Sequence, residues 1–398
     1  MSAAPKVLFI APSAYPLGGV AVWLDYLVQG LMQQGWGVRV GLTSGHWHDV
    51  AQYQAAYPEL PVVPVANPTG SAEGRIRALM RVIRQVAPDV VLSANIVDIY
   101  PACQRLRRQG MPVRAVMTLH GIVADLLGDL RHESCWLDAV VATNHLACAL
   151  SREHAGMPSE RVFYASYGVD DENLATLPRP GRVDTLRILW AGRLEQVQKR
   201  TDLLPEILQH LDTLALPYQL RLVGDGPDRA ALLAALHPWL QTGQVTYAGA
   251  LPAARMGTDA YAQADVLLLT SAWETGPIVA WEAMAAGLAV VSSRYVGSGL
   301  EQALQDEHNC LLFPLNDTAL AARQLARLAD ADFRQKLAVS GQQLVAQRYT
   351  QARSVKAWAD VLRQVATLPL RPLPAPEVLA PMGRFDRLIG ARLGETLR

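Results

Sequence analysis

The residues Ala264-Asp-Val-Leu-Leu-Leu-Thr270 and Glu274-Thr-Gly-Pro-Ile-Val-Ala-Trp-Glu282 have the pattern of a buried strand, a glycine-containing turn and the start of a helix. Glu274 and Glu282 are eight residues apart, so the sequence predicts both carboxylates on one side of the helix start. Carboxylate acceptors there suit a polyhydroxylated ligand. Backbone N–H groups at the same helix end suit a phosphate. The candidate binding residues of this turn are Gly276, Pro277, Ile278 and Val279.

The same strand and helix pattern alternates along most of the chain. Such alternation predicts mostly parallel sheets covered by helices on both faces, which is the α/β class with doubly wound domains. The predicted strands are residues 7–12, 38–43, 89–93, 113–119 and 139–143, followed by residues 187–191, 220–223, 245–248, 265–270 and 289–292.

A segment rich in proline and glycine, residues 177–185, interrupts the alternation and predicts a domain boundary. A length of 398 residues also favours two domains, because it exceeds what one ordinary core supports. We expect two Rossmann-like domains facing a cleft in which ligands bind. The expected segments are an N-terminal acceptor domain over 1–180, a donor domain over 181–350, a helix over 351–368 that returns to the first domain, and a proline-rich linker with an amphipathic tail over 369–398.

The composition excludes several classes of function. Lysine plus arginine equals aspartate plus glutamate at 36 each, so the charge predicts no affinity for nucleic acid. No apolar run approaches the roughly 20 residues of a membrane-spanning helix, and the N-terminal apolar run is too short for a signal peptide. The four cysteines lack zinc-ligand spacing. We expect a cytoplasmic protein, for which any membrane contact would be peripheral, at the inner face of the membrane.

Two basic residues follow the first strand of the predicted second domain. Arg193 comes directly after that strand, and Lys199 follows a short loop. Lysine is rare in this chain, with four residues against 32 arginines, which favours a specific role for Lys199. The pair could hold a diphosphate, the arginine as a planar fork and the lysine as a point charge. A solvated pair of loop residues is the alternative.

The first domain offers weaker candidates. Gly18, Gly19 and Val20 stand between the first strand and the first helix, where glycine lets the backbone approach an anion closely. His120 ends a strand, at the edge of the sheet where these folds bind ligands. A plain tight turn and a structural histidine are the alternative interpretations.

Two further motifs are interpreted as structural. Gly224-Asp-Gly-Pro-Asp-Arg229 is close to a dinucleotide fingerprint, but Arg229 replaces the third glycine, which disfavours a dehydrogenase. Asp330-Ala-Asp332 joins two helical segments and is predicted to cap a helix, not to bind a metal ion.

Taken together, these residues resemble the glycosyltransferases of family 4, which have the GT-B fold and retain the configuration of the transferred sugar. The resemblance extends from residue 5 to about residue 366. Its most specific part is Trp281-Glu-Ala-Met-Ala-Ala-Gly287, which matches the helix that follows the glutamate turn of the family. The resemblance implies a nucleoside-diphosphate sugar as donor, with no metal ion and no other cofactor.

The resemblance also implies roles for the candidate residues. Glu274 would contact the hydroxyls of the donor sugar, and Glu282 would hold the ribose. Arg193 and Lys199 would neutralise the leaving diphosphate. The first-domain residues that would line the reaction centre are Gly18, Gly19 and His120.

The sequence departs from the family pattern in its loops. Arg193 and Lys199 are one residue further apart than is commonest in the family, and Arg200 replaces the glycine that usually follows the lysine. Tyr167 replaces an asparagine, and Thr275 stands where a glycine is frequent. We expect these departures to affect the conformation of the loops more than the activity.

The function that follows is retaining transfer of a sugar to an acceptor hydroxyl, in the synthesis of a glycan, polysaccharide or glycolipid. The resemblance implies a front-face reaction in which the leaving phosphate helps to deprotonate the acceptor. A nucleotide-sugar epimerase of the same fold is an alternative, but it needs carboxylates on both faces of the sugar, and none stands out beside His120. A non-catalytic nucleotide-sugar-binding protein is a second alternative, disfavoured by the complete set of candidate residues.

The sequence says less about the acceptor and the protein partners than about the donor. Arg77, Arg81 and Arg84 share one face of a predicted helix, which is the ordinary layout of a surface helix. Contact with an anionic membrane that carries a lipid-linked acceptor is the alternative. Apolar residues recur at helical spacing in the tail between Phe385 and Leu397, which predicts docking onto the body of the protein or onto a second subunit of a homo-oligomer.

Overall fold

The computed structural model of the chain describes residues 5–13, 19–44, 49–179, 181 and 184–375. These residues form two compact units. The first unit takes the described residues up to Thr143, then Ala147–Ala165, then those from Val355 onward. The second unit takes Asn144–Leu146 and Ser166–Ser354. Each unit has its own parallel sheet, which confirms the predicted α/β class.

Seven parallel strands form the sheet of the first unit, as far as the chain is described. They are β1 (Lys6–Pro12), β2 (Gly37–Thr43), β3 (Val62–Val65), β4 (Val90–Ala94), β5 (Arg114–Leu119), β6 (Ala139–Ala142) and β7 (Val162–Tyr164). The helices between them are α1 (Gly19–Gln33), α2 (Val50–Ala56), α3 (Ala72–Val86), α4 (Ile99–Arg108), α5 (Ala124–Glu133) and α6 (His145–Glu153). The strand order β3-β2-β1-β4-β5-β6-β7 is that of a doubly wound sheet.

Six parallel strands form the sheet of the second unit, again among the described residues. They are β8 (Leu186–Ala191), β9 (Tyr218–Val223), β10 (Val245–Gly249), β11 (Val266–Leu269), β12 (Ala289–Ser293) and β13 (Leu311–Phe313). The accompanying helices are α7 (Asp171–Ala175), α8 (Leu204–Thr213), α9 (Arg229–Ala235), α10 (His237–Thr242), α11 (Ala253–Asp259), α12 (Ile278–Ala285), α13 (Ser298–Glu301), α14 (Thr318–Arg327) and α15 (Ala331–Arg348). The strand order is β10-β9-β8-β11-β12-β13.

The strands that sequence reasoning missed all lie at the edges of the two sheets. They are β3 and β7 in the first unit and β13 in the second. Central strands are buried on both faces, so the sequence shows them as continuous apolar runs. These edge strands have only three or four residues, which is too short to give such a run. Pro64 interrupts the pattern of β3, and an edge strand is where a sheet tolerates proline. The predicted cap is confirmed, because the Asp330 side chain accepts hydrogen bonds from the first N–H groups of α15.

The last described helix, α16 (Gln351–Thr367), contributes its later residues to the core of the first unit. Trp358 is fully buried there, with its ring 4.9 Å from that of Trp23 on α1. None of the described helices is both long enough and apolar enough to cross a membrane.

Residues 368–375, which we call the strap, continue from α16 without helix or strand structure and belong to the first unit. Arginine side chains of the first unit hold the strap by its backbone carbonyls. Arg114 Nε donates to the carbonyl of Leu368 at 2.9 Å, and Arg161 donates to that of Pro369 at 3.0 Å. The predicted tail beyond residue 375 lies outside the described residues.

Candidate functional site

The main group of candidate residues lies in the second unit, where β8 and β11 pair in parallel. Strand order reverses at this pair, since β9 and β10 extend the sheet to one side and β12 and β13 to the other. Such a switch point leaves a crevice at the carboxyl ends of the strands, which is where doubly wound folds bind ligands. Lys199 follows β8 and Glu274 follows β11, so both belong to this crevice.

Lys199 and Glu274 form a buried ion pair. The Lys199 Nζ lies 2.7 Å from Glu274 Oε1, and the two side chains are 17% and 6% exposed. The hydroxyl of Ser271 donates to the same carboxylate oxygen. A buried carboxylate needs such partners, and the lysine and the serine together provide them for Glu274.

Buried hydroxyl groups fix the backbone on both sides of this pair. The Trp190 indole N–H donates to Thr270 Oγ1 at 3.0 Å, and that hydroxyl donates to the carbonyl of Lys199 at 2.6 Å. The Ser293 hydroxyl donates to the carbonyl of Ser271 at 2.6 Å. Sequence reasoning missed Trp190, Ser293 and both hydroxyl residues that precede Glu274. The available signal was a polar residue directly after an otherwise apolar strand.

We expect Thr270→Val to destabilise the second unit and to lower turnover. Valine has nearly the same shape but leaves the buried Trp190 N–H and the Lys199 carbonyl without their partner, at a cost of about 1–3 kcal/mol each. Chemical denaturation and steady-state kinetics of the purified variant measure the two effects. Thr270→Ser keeps the hydroxyl and should stay close to the wild type. Equal behaviour of the valine and serine variants would contradict this role.

Arg193 lies in the exposed loop after β8, with its side chain 60% exposed beside Glu195. The loop itself is held by the Gly224 turn. A Cβ at Gly224 would lie 1.8 Å from the carbonyl oxygen of Gly192, and the φ of +136° also requires glycine. A Cβ at Gly226 would lie 2.4 Å from the carbonyl oxygen of Leu194. The glycines of this motif therefore let two loop backbones touch.

Arg200 has a left-handed backbone, with φ of +50°. A left-handed backbone costs about 1–2 kcal/mol for residues other than glycine. The guanidinium of Arg200 donates to Asp202 at 2.9 Å and also contacts Asn316. These contacts anchor the side chain of Arg200 in the loop.

The turn before α12 brings backbone donors to the same edge of the sheet. Gly276 has φ of +103°, a conformation that favours glycine. The helix begins at Ile278, and Pro277 in front of it provides no side-chain cap. Pro277 also has no N–H, so the donors available to an anion are those of Gly276, Ile278 and Val279.

Glu282 lies in the second turn of α12, half-buried. Its carboxylate accepts a hydrogen bond of 2.5 Å from the hydroxyl of Tyr261, a buried residue between β10 and β11. Burial raises the pKa of the Glu282 carboxyl to about 7, and the Tyr261 hydrogen bond works in the opposite direction. Glu282 is therefore close to half ionised at neutral pH.

The remaining candidates belong to the first unit. His120 follows β5, and its ring lies 4.4 Å from the ring of Trp23. Burial lowers the pKa of His120 to about 3, so the imidazole is neutral at physiological pH. Gly19 and Val20 begin α1, while Gly18 lies outside the described residues. In the described parts of both units, no three His, Cys, Asp or Glu side chains are grouped so that they could hold a metal ion.

Comparison with known proteins agrees with this arrangement. A family model described as Glycosyltransferase Family 4 matches residues 17–173, and one described as Glycosyl transferases group 1 matches residues 185–331. Together the two matches cover well over half of the chain. No protein of curated function matches the sequence.

Several solved structures resemble the whole chain. A glycosyltransferase from Rickettsia africae ESF-5 has a TM-score of 0.75 at 13% identity, over 92% of this chain and 99% of that one. Anabaena HepE, in complex with UDP and glucose, has a TM-score of 0.73 at 18% identity, over 90% of this chain and 99% of that one. Sucrose-phosphate synthase from Thermosynechococcus elongatus has a TM-score of 0.75 at 18% identity, over 91% of this chain and 99% of that one. These similarities establish the GT-B fold.

Proposed function

We propose that this chain, which belongs to the glycosyltransferases of family 4, moves a sugar from a nucleoside diphosphate to an acceptor hydroxyl with retention of configuration and without a metal ion. The observation that carries the proposal is the buried Lys199–Glu274 pair at the switch point of the second sheet. In this proposal Lys199 is the cation for the leaving diphosphate, and the neighbouring Glu274 carboxylate accepts sugar hydroxyls. The binding of UDP and glucose by the similar HepE supports a nucleotide-sugar donor.

Each candidate residue has a role in this proposal. When the bond between the sugar carbon and the diphosphate oxygen breaks, negative charge develops on that oxygen. Lys199, Arg193 and the N–H groups at the start of α12 stabilise it where it develops. The leaving phosphate takes the proton of the acceptor hydroxyl, which bonds to the sugar carbon from the same face. Glu274 accepts the sugar hydroxyls, and Glu282 accepts those of the ribose.

The first-unit candidates complete the proposal. His120 acts as a neutral hydrogen-bonding group at the reaction centre, because its lowered pKa excludes an imidazolium. Gly18, Gly19 and Val20 give the donor close access to the backbone. We propose that the acceptor belongs to a growing glycan, polysaccharide or glycolipid, including the lipid-linked case.

Ligand-induced stabilisation followed by product analysis tests the proposal. UDP-, GDP- and ADP-sugars are screened for a rise in melting temperature, since a ligand stabilises the folded state it binds. The stabilising donor is then incubated with hydroxyl acceptors, and the anomeric configuration of the product is read by NMR. We expect one base to be preferred and the configuration to be retained. No thermal shift with any nucleotide sugar, or an inverted product, would overturn the proposal. Isomerised donor in the absence of acceptor would favour the epimerase alternative.

We expect donor affinity to rise about tenfold between pH 6 and pH 8. Ribose hydroxyls bind the ionised form of Glu282, whose pKa near 7 in the free protein leaves it mostly protonated at pH 6. The intact nucleotide sugar is the suitable ligand, because its diphosphate is doubly esterified and does not titrate in this range. Calorimetric dissociation constants measure the effect. Glu282→Gln should make the affinity weak and independent of pH, and a flat profile in the wild type would contradict the role.

The raised pKa of Glu282 also affects the stability of the protein without ligand, which should fall with rising pH while donor affinity rises. A carboxyl whose pKa is raised in the folded state favours folding while it is protonated. This contribution to the free energy of unfolding is therefore present below about pH 4.5 and is lost as the pH rises to about 7.

A further inference from the structure

A groove of about 350 Å³ lies on the first unit, between α3 and the loop that precedes this helix. Three arginines on one helix line one side, and polar residues of the loop line the other. The lining residues are Asn67, Pro68, Thr69, Gly74, Arg77, Met80, Arg81 and Arg84. We call it the arginine groove.

The arginines meet there because of the helical repeat. Arg77, Arg81 and Arg84 stand four and three residues apart, on one face of α3 and over about 10 Å of its length. The opposite face packs into the core of the first unit through Ile76, Leu79, Ile83 and their neighbours. A helix that is anchored on its other side therefore presents all three arginines to one groove.

The charge of the arginine groove is only partly balanced. Arg77 pairs with Glu73 at 2.7 Å, and Glu73 also binds Arg105 at 2.8 Å. Arg81 donates to the carbonyl of Ala66 and Arg84 to the amide oxygen of Gln109, both neutral acceptors. Within the described part of the chain, no carboxylate forms an ion pair with Arg81 or Arg84. In a chain with no net charge, this local excess of positive charge favours an anionic ligand.

The wall opposite the arginines is preformed. A Cβ at Gly74 would lie 2.0 Å from Thr69 Oγ1 and 2.3 Å from Asn67 Oδ1. Glycine inside a helix costs about 1 kcal/mol relative to alanine, and here it lets the loop pack on the helix. Thr69 Oγ1 donates to Asn67 Oδ1 at 2.9 Å, which fixes the loop further. The loop wall of the groove is thus fixed by contacts within the protein, which lowers the cost of binding a ligand.

We propose that the arginine groove binds a phosphate group, with Arg81 and Arg84 as the principal donors and Arg77 at its end. Guanidinium groups match phosphate oxygens with paired hydrogen bonds, and neighbouring arginines on successive helical turns can contact one group together. A soluble phosphate ester and an anionic lipid headgroup offer this same chemistry. The site goes beyond the proposed transfer reaction, whose diphosphate contacts lie in the second unit.

Calorimetric titration with pyrophosphate tests the site. Because pyrophosphate would also bind near Lys199, the titration is made in Lys199→Ala protein as well as in the wild type. We expect binding to persist in Lys199→Ala and to weaken at least about tenfold when Arg81→Gln and Arg84→Gln are added, as the loss of charge-assisted hydrogen bonds requires. The matched control is Arg131→Gln with Arg323→Gln, which removes the same charge from two exposed positions and should leave binding unchanged.

A second arm distinguishes the source of the phosphate. Full-length protein is sedimented with vesicles of phosphatidylcholine containing phosphatidylglycerol, and with phosphatidylcholine alone. Binding to the anionic vesicles that the Arg81/Arg84 double variant loses and the control keeps would assign a lipid headgroup, and pyrophosphate binding without vesicle binding would assign a soluble ester. The proposal is overturned if Lys199→Ala protein does not bind pyrophosphate and the full-length protein does not bind anionic vesicles, or if the two double variants behave alike. Failure of the transfer reaction itself would leave this result intact, since both arms measure binding.

Discussion

Replacing Lys199 by alanine is expected to lower the turnover for sugar transfer about 100- to 1000-fold, the usual effect of removing one preorganised group that stabilises developing charge. The ammonium group lies 2.7 Å from Glu274 in a largely buried position, where little water can take its place. Loss of the lysine removes the cation for the leaving diphosphate and leaves the Glu274 carboxylate with the Ser271 hydroxyl as its remaining described partner. Turnover and KM are measured with a radiolabelled nucleotide sugar.

A second substitution separates chemistry from folding in this experiment. Glu274→Gln in the Lys199→Ala background removes the buried charge that has lost its partner, so it should restore stability but not turnover. Lys336→Ala, at an exposed position of α15, is the matched control and should leave both unchanged. A Lys199→Ala variant with near wild-type turnover would exclude the lysine from the reaction.

Replacing Asp138 by alanine is expected to lower the free energy of unfolding of the first unit by about 3–5 kcal/mol, as for other buried pairs that lose one member. Asp138 is fully buried before β6, and the Arg107 side chain, 6% exposed, donates to it at 3.2 Å. The carboxylate also accepts from the N–H groups of Ala115 and of Arg371 in the strap, at 3.0 and 3.1 Å. The substitution thus leaves a buried guanidinium and two backbone donors without their acceptor.

Chemical denaturation combined with hydrogen exchange measures this loss. The expected result is an earlier unfolding transition, with faster exchange of the amides of β5 and β6 and unchanged exchange in the second unit. Asp184→Ala removes an exposed aspartate and should change stability by less than about 0.5 kcal/mol. A similar loss of unfolding free energy in both variants would show that the buried contacts of Asp138 contribute little to stability.

Much of the fold and part of the site follow from sequence periodicity. The buried run after Ala264 gave β11 within one residue at each end, because a central parallel strand is apolar on both faces. Lys199 and Glu274 were both selected as candidates, from rarity in one case and from the glycine turn in the other. Their direct contact depends on the pairing of β8 with β11, a long-range relation that local patterns do not contain.

Other features were hidden because their partners are distant in sequence. The hydrogen bond between Tyr261 and Glu282, which accompanies a pKa near 7, joins two segments with no shared motif. The sequence shows Arg200 as a departure from the family pattern, but it does not show the left-handed backbone of this residue or its contact with Asn316. The prolines of the strap indicate a linker, but the contacts of residues 368–375 with Arg108, Arg114 and Arg161 are not readable from the sequence.

The strap and the end of α16 also determine when the first unit can finish folding during synthesis. The end of α16 is buried in the first unit, whose preceding segment ends at Ala165. The fully buried residues there are Trp358, Leu362 and Val365. At roughly 5–20 residues per second, a ribosome needs about 10–40 s to make the residues between these two parts. During that interval the second unit, which is almost continuous in sequence, can complete its own sheet. Trp23 can pack against Trp358 only after α16 has been made, so the core of the first unit is completed after the residues of the second unit have been synthesised.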